Sequence, residues 1–319
     1  MKQQLNKNYK KKIDEHEKKC QKIFREIILG KNVYIRADRI VSKNENGDDV
    51  IHPLSKDNNQ YIRITLLTDD IITYDSSVFS NGKKSTNLLN EYRPYFVSFV
   101  VPIVNDNIDN VDSLGSDWYT GKFDISNNNL SEKTLVLNGI LEMSASPINY
   151  IEGRLIIFKE CTICKSKLDE IYKTYKASDF TCASNTNIES EVNCIWECDF
   201  PNTIDIYNVG HGNADYIRGE KHRILYDIGY NYRSFPTRKN CKYLRAVNAI
   251  RYLKPSCVIL SHWDLDHIIG CAYAEREIFT CKWIAPNLTS SRDNKPSINA
   301  VRIAKYLDLL GNLNLVDRE

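Results

Sequence analysis

The sequence predicts an α+β protein of two domains, on three observations. The chain has 319 residues, enough for two domains at roughly 100 to 200 residues each. From Asn32 to Phe158 it runs in short alternating or β-branched segments, the signature of strands. From Thr203 onward, strand-like runs are interleaved with helix-like spacing, and a domain boundary is expected near Pro201.

Taken in order, Leu5, Tyr9, Ile13, Cys20, Phe24, Ile27 and Ile28 recur at helical spacing, and Gly30 follows at a C-cap position. Residues 1–30 are therefore expected to be an amphipathic helix, with Lys10, Lys11 and Lys12 on a solvated face. Residues 31–200 are expected to form a β-rich domain. Its strands are centred on Val33-Tyr34-Ile35, Ile62 to Leu66, Tyr95 to Val101, Leu135 to Leu141 and Leu155 to Phe158. Asn46-Gly47, Asn81-Gly82 and Asn127-Asn128-Asn129 supply the turns between them. A short helix through Leu168, Ile171, Tyr172 and Tyr175 follows.

Five cysteines crowd the junction: Cys161, Cys164, Cys182, Cys194 and Cys198. A C-x-x-C pair can grip one side of a zinc ion, but the second half is irregular and lacks a histidine, which favours buried reduced thiols.

Composition excludes several classes. A content of 42% hydrophobic and 26% charged residues can fill a core, so the bulk is not disordered. Lys plus Arg (43) against Asp plus Glu (41) leaves a net charge of +2, which excludes a strongly basic chain coating DNA. The longest apolar run, Tyr95 to Val104, is broken by Ser98 and Pro102 and is about half the roughly 20 residues that a membrane helix needs. No bilayer-spanning segment is expected. The first thirty residues lack a secretory h-region, so a cytoplasmic location is expected.

The chemistry concentrates after Thr203. A strand through Ile204 to Val209 leads into Gly210-His211-Gly212-Asn213, where glycines permit a tight turn and close backbone approach. A second strand, Arg223 to Tyr226, ends in Asp227-Ile228-Gly229. A helix is expected over Tyr243 to Leu253, ended by Pro255. Cys257 to Leu260 then reads as a buried strand that opens into Ser261-His262-Trp263-Asp264-Leu265-Asp266-His267. Alternation projects His262, Asp264 and Asp266 to one side, and His267 at a helix start can swing back to them. Such a cluster is electrostatically costly without a cation, and imidazoles with carboxylates suit zinc, manganese or iron. The plain structural alternative is a loop whose carboxylates cap the following helix.

His262-x-Asp264-x-Asp266-His267-x-x-Gly270 resembles the metal-binding signature of metallo-β-lactamase-fold hydrolases, with Asp264 replacing the usual second histidine. With Asn208 to Asn213 and Asp227-Ile228-Gly229, it is most similar to the branch containing the hydrolase domain of DNA-uptake competence proteins. The resemblance covers about residues 203–319, in three motifs that occur in the family's order. It implies an αββα sandwich for residues 201–319, of which only the first half is present.

The resemblance also implies one or two zinc ions, with manganese as the substitute. His262 and Asp264 would serve the first metal position, and Asp266 and His267 the second. Asp266 would in addition orient a metal-bound hydroxide that cleaves a phosphodiester. Asp227 would orient the ligands, and His211 and Asn213 would line the pocket rim, although a Gly-His-Gly turn is also common structural punctuation.

A nucleic acid or nucleotide would be the substrate. Arg233, Arg238, Lys239, Lys242 and Arg245, with Tyr230, Tyr232 and Tyr243 among them, would steer it, or would simply form a solvated helix face. The family's later ligands are missing, since no histidine follows His267. The expectation is a truncated enzyme; the alternatives are a domain completed by a second polypeptide, or an inactive remnant of a protein that binds partners through residues 1–200.

Overall fold

Four of the five apolar runs predicted as strands between Asn32 and Phe158, and the fifth from Val97 to Val101, its residues 95 and 96 lying outside the described residues, fall in strands of the structure, a computed structural model. It describes residues 24–37, 41–43, 49–51, 61–80, 97–103, 108–112, 114, 117–125, 134–143, 150–158, 163–176, 180, 201–209, 212–230, 249–250, 252–272, 274–288 and 296–316. The strands are β1 (Asn32–Ala37), β2 (Val41–Lys43), β3 (Asp49–Ile51), β4 (Tyr61–Leu67), β5 (Val97–Pro102), β6 (Tyr119–Asp124), β7 (Thr134–Met143), β8 (Tyr150–Phe158), β9 (Thr203–Ile206), β10 (Asp215–Arg218), β11 (Arg223–Tyr226), β12 (Cys257–Ile259), β13 (Lys282–Pro286) and β14 (Leu313–Val316). The α-helices are α1 (Asp69–Ser80), α2 (Ile108–Asp112), α3 (Lys165–Thr174), α4 (Leu265–Ile268) and α5 (Ile298–Leu310). The α+β class therefore holds. No helix among the described residues is long and apolar enough to cross a membrane.

The chain divides into two compact units: residues 1–38, 53–74 and 95–165 in the first, and residues 39–52, 75–94 and 166–319 in the second. The division is interleaved, where the sequence suggests a single boundary near Pro201. Of the expected opening helix, residues 1–23 lie outside the described residues, and Phe24–Ile28 form a single π-helical turn. Several elements escape the sequence reading, among them helices α1 and α2 and strands β2, β3, β6, β10 and β13. Helix α1 has 12 residues rich in Asp, Ser and β-branched types, all poor helix formers. It starts because Thr68 Oγ1 accepts from the N–H of Ile71. Strand β10 is four residues long with two charged ends, too short to show alternation.

In the first unit, six antiparallel strands close into a barrel in the order β1-β4-β5-β7-β8-β6. Val33, Ile35 and Ala37 alternate inward along β1, and Leu135, Leu137 and Leu141 do so along β7. Phe99 and Phe123 meet edge to face in the core with ring centroids 5.8 Å apart. Gly139 and Gly153 face each other across β7 and β8 and make room for them. A Cβ at Gly153 would lie 2.5 Å from the Phe123 ring, and one at Gly139 would lie 2.9 Å from the Phe99 ring.

The second unit carries a six-stranded sheet in the order β14-β13-β12-β11-β10-β9. β9, β10 and β11 form an antiparallel meander, and β11 to β14 are parallel. Each parallel strand is added on the same side of the last, so right-handed crossovers place their connections on one face. Leu225, Val258 and Trp283 are in register across the sheet and have no solvent exposure.

Helix α5 packs against β14 and α4, starting where Ser297 accepts from the N–H of Ala300 and ending at Gly311 with φ 71°. Its Tyr306 meets Phe279 edge to face, with centroids 5.3 Å apart. Opposite, Ile204 and Ile206 of β9 remain 59% and 79% exposed. The expected helix over Tyr243 to Leu253 lies outside the described residues up to 248, and residues 249–250 are helical.

Candidate metal centre

Parallel strands end at the same edge of a sheet, so the segments leaving β11 and β12 emerge side by side. Chain leaving β11 turns at Asp227, whose φ of 55° lies in the left-handed region that non-glycine residues rarely occupy. Chain leaving β12 passes through Leu260 and Ser261 to His262, then turns into α4. The two segments are zipped together by backbone hydrogen bonds. Asp227 N donates to Ile259 O at 2.9 Å, Ile228 N to His267 O at 2.9 Å, and Gly270 N to Ile228 O at 2.8 Å. Trp263 fixes the loop from the other side by donating its indole N–H to Pro286 O at 2.6 Å.

Held this way, His262, Asp266 and His267 each direct one ligand atom to a common point, all within 4.8 Å of one another. They are the group of three such residues found among the described residues. The two imidazole rings are tilted against each other with centroids 3.8 Å apart, and His267 Nε2 lies 3.5 Å from Asp266 Oδ2. Asp264 stands outside the group. It is the residue before α4, yet its side chain makes no capping bond; it lies 3.4 Å from His262 Nε2 with 59% exposure. Capping therefore does not explain its presence.

Beneath the imidazoles sits Asp227, with no exposure. Its Oδ1 accepts from Ser261 N at 2.7 Å, and its Oδ2 accepts from Ser261 Oγ at 2.8 Å and lies 2.7 Å from His267 Nδ1. A buried carboxylate on the far nitrogen of a histidine is the usual partner of a metal-ligating imidazole. Two imidazoles and one carboxylate are the donor types of a catalytic zinc ligand set, so the residues present fit a divalent ion.

The glycines of the preceding turn are tied to the same point. A Cβ on Gly212 would fall 2.0 Å from Asp266 O, and one on Gly229 would fall 2.6 Å from it. Gly229 N also donates to Asn213 O at 2.7 Å. Asn213 thus reaches the site with its backbone, while its side chain is exposed. His211 lies outside the described residues, as do Arg233, Arg238, Lys239, Lys242, Arg245, Tyr232 and Tyr243; Tyr230 is buried. Of the junction cysteines, Cys164 is exposed and in no disulfide, and the other four lie outside the described residues. Cys257, Cys271 and Cys281 are buried and in no disulfide, and burial pushes the Cys281 thiol up to about 12.

The field at the site is acidic. When protonated, the His262 imidazole donates a hydrogen bond to the Asp264 carboxylate, which holds its pKa above the ordinary value against the opposing effect of burial. Burial, and then the charge of Asp227, raises the Asp215 carboxyl above the usual carboxylate value. Sequence reasoning missed both Ser261 and Asp215. Ser261 offered one local signal, a hydroxyl directly before the first histidine at a strand mouth. Asp215 offered none, since only the pairing of β10 with β11 brings it near Asp227. No protein-family model matches this sequence, and no curated protein or solved structure matches it.

Proposed function

We propose that the second unit is a metal-dependent hydrolytic domain of the metallo-β-lactamase type, acting on phosphodiesters of a nucleic acid or nucleotide. One observation carries the reading: His262, Asp266 and His267 converge above a buried carboxylate that holds His267 from behind. Their place at the carboxyl ends of parallel strands, where α/β proteins gather ligands, supports it. So do the order of the three motifs and a meander that runs into parallel strands.

His262, His267 and Asp266 would hold zinc or manganese. Such an ion supplies a Lewis acid that polarises a phosphoryl oxygen and brings the pKa of water towards 7. Asp266 keeps 15% of its side chain exposed, which leaves a carboxylate oxygen able to accept a hydrogen bond from the attacking water and aim it. Asp227 and Ser261 keep the ligands in place. The 59% exposed Asp264 stands at the mouth, where a negative charge disfavours a polyanion unless a cation compensates it.

The test is metal content of the purified full chain, followed by hydrolysis of bis-p-nitrophenyl phosphate with added zinc or manganese. Bound metal and turnover, both lost in Asp266→Ala and His267→Ala, are expected. Zinc retention no greater than in a His262→Ala/His267→Ala chain would overturn the metal site. Full metal occupancy without cleavage of this ester, or of a dinucleotide, would overturn hydrolysis.

A further inference from the structure

We propose that Ser261 is a positioning residue that fixes the tautomer of His262, while Asp227 fixes that of His267, so that both imidazoles present a bare Nε2 to the site. The consequence for metal binding rests on the function proposed above; the tautomers themselves do not.

The assignment follows from the available protons. Ser261 Oγ lies 2.8 Å from Asp227 Oδ2, 2.8 Å from His262 Nδ1 and 3.4 Å from His267 Nδ1. A hydroxyl has one proton to donate, and an ionised carboxylate only accepts. Were that proton directed at His262, Oγ and Oδ2 would face each other lone pair to lone pair against a carboxylate with no solvent exposure. Buried polar atoms left opposed in this way are costly. The hydroxyl therefore donates to Asp227 and accepts from His262, which must carry its proton on Nδ1. His267 Nδ1 lies 2.7 Å from the same Asp227 oxygen and can only donate to it, so His267 carries its proton there too.

The competing pull on His262 comes from Asp264, at 3.4 Å from Nε2 and 59% exposed. It is longer than the Ser261 contact, and water weakens it. On the other side, His267 Nε2 faces Asp266 at 3.5 Å, beyond good hydrogen-bond length. One buried carboxylate and one hydroxyl thus hold two rings at once, and removing the hydroxyl frees only one of them.

The experiment uses the full chain with 15N-labelled histidine, stripped of metal by a chelator, at alkaline pH where the imidazoles are neutral. Long-range proton–nitrogen correlations report which nitrogen of each ring is protonated. Nδ1–H is expected for both rings in the wild type. In Ser261→Ala, His262 loses that preference and His267 keeps it; Ser261→Thr, which retains the hydroxyl, restores the wild-type pattern. A parallel zinc titration should show affinity about 10- to 100-fold lower for Ser261→Ala and close to wild type for Ser261→Thr. Nε2–H on His262 in the wild type overturns the proposal, and so does an unchanged His262 in Ser261→Ala. If the tautomers respond as stated but the wild type takes up no zinc, the positioning role stands and the metal reading fails.

Discussion

Asp227 Oδ2 and His267 Nδ1 lie 2.7 Å apart, although the two residues are 40 positions apart in the chain. Asp227 makes this contact from a left-handed backbone conformation, φ 55°, which Asp and Asn tolerate better than other non-glycine residues. Strain of this kind gathers at functional sites, where the surrounding structure enforces it.

Asp227→Asn keeps both the shape and the backbone tolerance but offers a single acceptor oxygen to three donors. Zinc affinity, measured by competition with a chromophoric chelator, is expected to fall about 10- to 100-fold while the fold is retained. Undiminished affinity would show that the buried carboxylate has no part in holding a metal.

Gly212 is pressed against Asp266. A Cβ there would meet a backbone oxygen at 2.0 Å, and its φ is +76°. Gly30 has nearly the same φ, +74°, with nothing within 4 Å of its would-be Cβ. Gly30→Ala should therefore cost only the backbone penalty of about 1 to 2 kcal/mol. Gly212→Ala should cost more than that in thermal unfolding and should also weaken zinc binding, because Asp266 must move. Equal losses for the two variants would remove the packing argument.

Away from the site, Arg302 of α5 donates Nε to Asp75 Oδ2 at 2.6 Å and Nη2 to Asp75 Oδ1 at 3.3 Å, and Tyr175 donates its hydroxyl to Asp75 Oδ2 at 2.8 Å. The ion pair is 2% and 0% exposed. Arg302→Leu is expected to lower unfolding free energy by about 3 to 5 kcal/mol, because it strands a buried carboxylate. Replacing all three groups, Asp75→Leu with Arg302→Met and Tyr175→Phe, should recover most of that loss in a denaturant titration. A small cost for Arg302→Leu alone would mean that water reaches Asp75.

The same cluster sets an alkaline limit. Burial, and then the Asp75 charge, raises the Tyr175 phenol well above its ordinary value of 10.0. The folded protein therefore keeps a proton that the unfolded chain releases. Its stabilising effect is complete below pH 10.0 and is lost as pH rises towards the folded-state value. Unfolding midpoints for wild type and Tyr175→Phe, followed from neutral pH upward, should converge above pH 10; a constant gap would contradict the coupling.

Local sequence determined the strands with strict alternation, such as Val33 to Ala37 and Leu135 to Leu141, because a period of two puts every apolar side chain on one face. Helix α5 rests on equally local features, since its serine cap and terminal glycine lie on either side of one thirteen-residue segment. Local sequence also marked His262, Asp264, Asp266 and His267 as chemistry, since four ionisable groups after a buried strand need a reason to be there.

Tertiary structure alone decided which of those four converge. Asp264 and Asp266 are two positions apart, yet the turn into α4 leaves one carboxylate 59% exposed and the other 15%. It alone decided the support beneath them, because Asp227 reaches Ser261 and His267 through the parallel pairing of β11 with β12. Side-chain period and capping act over one or two turns of chain and so are written locally. A hydrogen bond between segments 34 or 40 residues apart exists only once the sheet has brought them together.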